Sequence, residues 1–420
     1  MSSLAEVGVR WSKELFLNGR YFWAIAVAVL VGDAALTQLI IRHVPYTEID
    51  FQTYMYHVEL YSKGERDYSM IIGPSGPLVY PAGHVFIHRL LSHITSGGYE
   101  LRLAQQIYGS VYLTSLVLTC AIYRQAGHVP NYVLLLLPLS KRLHSLFMLR
   151  LFNDCWALVT VQIAILALAT GWDDIASVLF SAALSVKMSI LLYMPGLLLL
   201  LFKRHGLLHT LRQVTVIMLF QALVALPFIS AYPWSYISYA FEFSRVFFYT
   251  WTVNWRFIPE DVFLSRPWAL ILLTGHLCTL IAFAFFKWCQ GDGGIINVLT
   301  QGLRTPRSGA SNYDVAPDQI IVILFTCNLI GIIFARSLHY QFYSWYAQQI
   351  PFLLWQTRYP TIFRFAILAS IEYAWNVFPS TTLSSAALLI SNLALLIGIW
   401  FGFPEGKEVS QRQTKQRKSA

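Results

Sequence analysis

The chain has 420 residues, of which 56% are hydrophobic and only 12% charged, with a formal net charge of +9. A mean hydropathy of +0.54 and about half the roughly 25% charge of soluble domains exclude a soluble globular protein and point to repeated membrane crossings. The basic residues fall mostly where cytosolic loops are expected, so the positive charge calls for no nucleic-acid partner.

In chain order, residues 1–21 lack a short apolar core followed by a small-residue cleavage site, so the first span is expected to remain as an anchor. Arg10, Lys13 and Arg20 precede that span, 22–41, and favour a cytosolic N-terminus. Residues 43–104 then form a polar first loop on the opposite face. Later apolar runs at 105–123, 131–147, 155–170, 175–186, 189–202, 213–230, 267–286, 319–335, 341–357, 361–379 and 386–403 bring the expectation to about twelve crossings. The short runs 175–186 and 189–202 leave open one long helix or a re-entrant pair. Segment 22–403 is thus read as a single all-α polytopic membrane domain. The stretch 291–317 is expected to be a flexible cytosolic loop, and 404–420 a disordered cytosolic tail. The five cysteines are scattered and give neither a disulfide framework nor metal-ligand spacing.

The polar segment 46–84 carries Glu48, Asp50, Glu59, Glu65 and Asp67, and water beside the bilayer is the only solvent it can occupy. A carboxylate in such a niche can act as a general base, and Asp50 is the candidate. In an extended segment Glu48 and Asp50 point the same way, a spacing that also suits a divalent metal; a solvated loop acid is the plainer reading. The turn IIGPSGPLVYPAGH holds Tyr80 and His84 and reads either as a rigid wall of a pocket or as a connection into an amphipathic surface helix at 84–91. Arg336, His339 and Tyr340 sit between two spans on the same face, where basic side chains pair with lipid phosphate or snorkel to headgroups. Lys187 in SVKMS and the Arg150/Asp154 pair in RLFND have the same two readings. Asp33, inside the first span, is explained most simply by a helix-packing hydrogen bond. In YTWTVNWRFIPED, Trp251, Asn254, Trp255 and Arg256 could hold sugar rings and phosphate oxygens. An interfacial aromatic belt accounts for the tryptophans but not for Asn254 or Arg256.

Taken together, YTEID, GPLVYPAG, RLFND, SVKM, WTVNWRF, RSLHYQFY and PST occur in an order that resembles the dolichyl-phosphate-mannose-dependent alpha-1,3-mannosyltransferases of the endoplasmic reticulum. The matches run from 46 to about 387. This resemblance implies a C-type glycosyltransferase architecture in the endoplasmic reticulum membrane, with a lumenal site and both termini cytosolic. The implied donor is dolichyl phosphate mannose. The implied acceptor is the dolichyl-pyrophosphate oligosaccharide with five mannoses and two N-acetylglucosamines, with inversion at the anomeric carbon and no cofactor; metal dependence is expected to be absent or weak, since a lipid monophosphate carries less charge than a nucleotide sugar. It also implies that Asp50 is the base, with Glu48 its nearest competitor, that Arg336 and His339 meet the donor phosphate, and that Trp255 and Arg256 face sugar or pyrophosphate. Two positions depart from the family's usual pattern: Phe51 stands where Trp is common, and Pro74-Ser75 replaces a pair beginning with Asp. No acid at 74 can act here, which shifts weight to Asp50, with Asp67 and Asp154 behind it. Arg417 and Lys418 are placed somewhat like a dilysine retrieval signal.

Overall fold

The computed structural model describes residues 4–242, 248–311 and 313–403. The expected tail 404–420, with Arg417 and Lys418, lies outside the described residues. Helix α1 (Leu4–Leu17) leads into α2 (Phe22–His43), whose 22 residues span about 33 Å, enough for the hydrocarbon core. The first loop is more ordered than its polarity suggests. It contains α3 (Phe51–Ser62), a hairpin of β1 (Ile72–Gly73) and β2 (Gly76–Pro77) paired Ile72 to Pro77 and Gly73 to Gly76, and α4 (Gly83–Ile94). The expected amphipathic helix at 84–91 is therefore α4, but His84, Val85, His88 and Leu91 bury one face of it against protein.

Helix α5 (Leu101–Ala126) recrosses. The next apolar run does not make a straight span. A 3-10 segment containing Pro138, Asn131–Leu139, is bent by 53° against Lys141–Leu149, which begins with α6 (Lys141–His144). Proline removes a backbone donor and breaks the helix, and Ser140 caps the new one by accepting from the Leu143 amide at 3.3 Å. Then follow α7 (Asp154–Ala169) and α8 (Asp173–Leu184). A break at 185–187 separates α8 from the continuous helix Met188–His205, whose α part is α9 (Met194–His205), so the two short runs are not one long helix. Helices α10 (Leu207–Ile229), α11 (Pro233–Ala240), α12 (Glu260–Leu264), α13 (Arg266–Phe283) and α14 (Ile295–Arg304) come next. The chain closes with α15 (Pro317–Ile333), α16 (Ile350–Trp355), α17 (Thr361–Asn376) and α18 (Thr382–Gly402).

Among the described residues six helices are long and apolar enough to cross a membrane, or seven with the bent pair, against the expectation of about twelve. The apolar helices Asp154–Ala169 and Pro317–Ile333 are shorter than that, and other expected runs are broken by the fold. The run 341–357 splits into a 3-10 helix, Tyr340–Trp345, and α16, while α8 has only 12 residues. Helix α15 is apolar on every side and every residue from Ile320 to Ile333 is buried, which puts it at the centre of the bundle. By contrast α10 and α13 leave Met218, Leu219, Leu223, Leu270, Ile271 and Leu277 exposed, as lipid-facing helices do. The first span's Asp33 is 2% exposed. It accepts from Tyr112 at 2.6 Å and pairs with His144 at 2.7 Å, a packing contact that anchors α6.

Three contacts seat the first loop. The Thr47 amide donates to Leu149 O at 2.9 Å, and the His84 amide to Ser185 O at 3.2 Å. Tyr68 packs edge-on against Phe228 and Tyr236 with ring centres 4.9 and 5.0 Å away. The approach at α4 is so close that a Cβ on Gly83 would stand 2.1 Å from Ser185 Oγ, so glycine is required there. The loop is thereby held over the 185–187 break and beside the turn that carries Arg150.

Candidate functional site

Where these pieces meet, a cavity of about 1300 Å³ opens, larger than the roughly 300–1,000 Å³ of small-molecule pockets. Asp50, Tyr54, Ser75 and Tyr80 come from the first loop, Arg142 and Arg150 from the broken segment, Lys187 from the 185–187 break, and Arg336, His339 and Tyr340 from the segment after α15. Among the described residues, Asp50 and Glu242 are the acids in its wall.

Glu48 and Asp50 do not point the same way, because the backbone turns into α3 at residue 50. Glu48 accepts from the Gln52 amide at 3.0 Å and from the Tyr46 hydroxyl, so it serves as the cap of α3 and lies outside the cavity wall. Asp50 sits at the N-cap position but makes no capping bond, and instead Ser75 Oγ donates to its Oδ1 at 2.9 Å. Burial raises the Asp50 carboxyl above the ordinary carboxylate range, aided by nearby Asp154 and Glu48, while the Ser75 hydrogen bond and Lys187 pull it back. Asp67 is engaged elsewhere, accepting from Ser69 Oγ at 2.7 Å and from Ser235.

Lys187 and Asp154 form a buried ion pair at 2.8 Å. Lys187 also donates to Asn153 Oδ1 at 3.0 Å and lies 4.7 Å above the Tyr80 ring, and Trp345 Nε1 donates to Asp154 at 2.5 Å. Lys187 and Tyr80 reach the cavity; Asp154 backs them from behind. His84 is fully buried, tilted against Tyr80 at 4.6 Å between ring centres and bonded to Asn153 at 3.1 Å, so it supports the wall and does not line it.

The remaining cations are not neutralised in this way. Among the described residues no carboxylate makes an ion pair with Arg142, Arg150 or Arg336, although all three line the cavity. Arg142 is aimed by a 3.1 Å bond to Trp375 O and lies 4.7 Å over the Tyr340 ring, and it feels Arg150 as a like charge. Arg150 donates to Ser145 Oγ, Arg336 to Leu264 O at 2.7 Å, and Tyr340 to Val377 O at 2.6 Å. Glu372 acts on Arg142 as an opposite charge without forming a direct ion pair, and guanidinium groups that line one cavity with no direct ion-pair partner suit a phosphate group. Residues three apart eclipse on a 3-10 helix. His339, Phe342 and Trp345 accordingly stack, with centres 5.4 and 4.0 Å apart, and give the cavity an aromatic face.

The segment 249–258 plays a different part from the one its composition suggested. Trp255 and Arg256 lie outside the cavity wall, whereas Trp251 lines it. Trp255 Nε1 and Asn254 Nδ2 both donate to Ala335 O at 2.8 Å, Asn254 Oδ1 accepts from the Leu338 amide at 2.8 Å, and the Val253 amide donates to Leu338 O at 2.7 Å. Arg256 is turned to Tyr249 O at 2.8 Å. These residues brace the backbone that presents Arg336 and His339, and contact with sugar or pyrophosphate is the part of that expectation the geometry does not carry. Asn254→Ala leaves the buried Leu338 amide without its acceptor, so it is expected to cost about 1–3 kcal/mol. Thermal unfolding in detergent measures that loss, and a higher KM for a phosphate-bearing donor would accompany it.

Arg142 escaped the sequence reading, since it lies inside an apolar run taken as a span. The signal was there: Lys141 and Arg142 are adjacent in SKRLHS, and two charges at mid-span cost about 2.5–3.5 kcal/mol each, so the run had to bend.

The family profile described as "ALG3 protein" matches residues 27–385. A relative from Arabidopsis thaliana, named "Dol-P-Man:Man(5)GlcNAc(2)-PP-Dol alpha-1,3-mannosyltransferase", is 45% identical over 89% of this chain and 87% of its own. Relatives of the same name from Neurospora crassa and Homo sapiens are each 41% identical, over 96% and 95% of this chain and 93% and 92% of theirs. No solved structure matches.

Proposed function

The chain belongs to the ALG3 protein family, and from that premise we propose that it transfers mannose from dolichyl phosphate mannose to the dolichyl-pyrophosphate oligosaccharide with five mannoses, forming an alpha-1,3 bond. The observation that carries the site assignment is the meeting, in one cavity, of a half-buried carboxylate, Asp50, with guanidinium groups that have no direct ion-pair partner among the described residues. The same cavity borders α13 and α15 through His276, Phe334 and Gly331, next to lipid-facing surface. Both substrates carry their phosphates on lipids, and the reading places the reaction at the lumenal face of the endoplasmic reticulum membrane, with both termini cytosolic.

In this proposal Asp50 takes the proton from the acceptor hydroxyl as its oxygen attacks the anomeric carbon. The bond from that carbon to the phosphate oxygen breaks, and dolichyl phosphate leaves as an anion. One displacement inverts the anomeric centre, and a phosphate leaving group needs little help from an acid. Arg142, Arg150 and Arg336, with His339, stabilise the charge that collects on the departing phosphate. Lys187, held by Asp154, and Tyr80 line the sugar side, and the stacked face of Phe342 and Trp345 offers an apolar surface to a pyranose ring. Trp255, Arg256 and His84 act through the residues they brace.

The base must be ionised to work, so its raised pKa sets the acidic limb of the rate profile. Turnover is expected to be full well above that pKa and to fall as pH drops through it, with a midpoint above the usual carboxylate range. A pH profile of kcat on the purified protein measures this. For the function itself, the test offers dolichyl phosphate mannose, dolichyl phosphate glucose and a nucleotide-linked mannose with the five-mannose acceptor in vesicles. Product from the first alone is expected, whereas lipid that crosses the membrane with no new glycosidic bond would indicate a transporter and overturn the reading.

A further inference from the structure

We propose that Ser75, at the tip of the β1–β2 hairpin, is a positioning residue that locks the Asp50 carboxylate in one orientation and leaves a single oxygen free to accept the proton. The inference rests on Asp50 being the base and adds a role for the hairpin.

The hairpin is held from beneath. The Ser75 amide donates to Thr53 Oγ1 at 2.9 Å, and the two hydroxyl oxygens are 2.7 Å apart. Thr53 belongs to the first turn of α3, one turn past Asp50, and is buried. Gly73 lets the strand approach that turn: a Cβ there would stand 2.6 Å from Thr53 Cγ2. His57 Nε2 makes a 3.1 Å contact with Gly76 O on the far side of the tip. The tip is therefore fixed to the helix that Asp50 precedes. Because Glu48 supplies the cap of α3, the Asp50 carboxylate is spared that task. Its Oδ1 accepts from Ser75 at 2.9 Å, and among the described residues Oδ2 has no hydrogen-bond partner.

A hydrogen bond to the ionised form keeps the carboxylate charged against the cost of burial. The charged groups facing Asp50 are Lys187, which favours ionisation, and Asp154 and Glu48, which oppose it. The phenols of Tyr54 and Tyr80 are also close. Ser75 is thus the neutral group that partly offsets the rise caused by burial.

The test compares Ser75→Ala, Ser75→Thr, Thr53→Val and Asp50→Asn in the full-length protein, reading kcat, KM and the pH profile. Ser75→Ala is expected to lower kcat about tenfold and to move the acidic limb up by about one pH unit, with KM for both substrates unchanged. Ser75→Thr, which keeps the hydroxyl, should restore both. Thr53→Val, which frees the Ser75 hydroxyl to turn away, should shift the limb less but in the same direction. If Asp50→Asn abolishes turnover while Ser75→Ala leaves the limb in place, the role of Ser75 is wrong and the base stands. A Ser75→Ala protein that loses thermal stability without moving the limb overturns the inference in the same way. Near-normal turnover in Asp50→Asn overturns both.

Discussion

Replacing Asp50 with Asn is expected to reduce turnover by about 10²- to 10⁴-fold, the range that a positioned general base contributes. The substitution keeps the size of the side chain, and the amide oxygen can still accept from Ser75, whose hydroxyl donates to Oδ1 at 2.9 Å in the native protein. Folding and membrane insertion should therefore be unchanged, and so should the KM for the donor, whose phosphate is proposed to meet Arg142, Arg150 and Arg336. Glu48 cannot take over, because it is committed to the Gln52 amide and the Tyr46 hydroxyl. Steady-state kinetics with both lipid substrates, together with thermal unfolding in detergent, separate loss of chemistry from loss of fold. A variant that turns over within a few-fold of the native protein would remove Asp50 from the mechanism.

The second large effect is expected at the Lys187–Asp154 pair. Both side chains are buried, at 8% and 1% exposure. Lys187→Met leaves a carboxylate in the protein interior with Trp345 Nε1 as its remaining strong donor. Breaking a buried pair from one side costs about 3–5 kcal/mol, whereas replacing both partners is often close to neutral. Lys187→Met should thus lower the unfolding transition sharply, and adding Asp154→Asn should recover much of the loss. The double variant should remain slow, since Lys187 is also the cation beside Asp50 and over Tyr80. Equal stability in the single and double variants would show that the pair is not strongly coupled.

The all-helical membrane architecture was legible in composition and in the apolar runs, because twenty-residue apolar stretches have few alternatives. The breaks within those runs were not, since an apolar run looks alike whether it forms one straight helix or several short pieces. Segment 341–357 illustrates this: it holds a 3-10 helix and a six-residue α-helix whose residues are nearly all enclosed by protein. Asp50, Tyr80, Arg150, Lys187, Arg336, His339 and Tyr340, single polar residues in short motifs, converge on one cavity. Spacing alone could not tell which polar groups face that cavity and which hold its walls. Asn254 and Trp255 look like ligands for a sugar, yet their donors go to Ala335 O, since an irregular segment after α15 leaves backbone groups that something must satisfy. Arg142 was hidden for the opposite reason, a cavity-lining cation inside a run that read as a membrane span.

The central claim is most directly tested by the product. Purified protein in vesicles, given dolichyl phosphate mannose and the five-mannose lipid-linked oligosaccharide, should yield a glycan one hexose heavier, with the added residue alpha-linked to position 3 of a mannose. An unchanged glycan mass in the presence of intact protein and both substrates, or a hexose added in any other linkage, would contradict it.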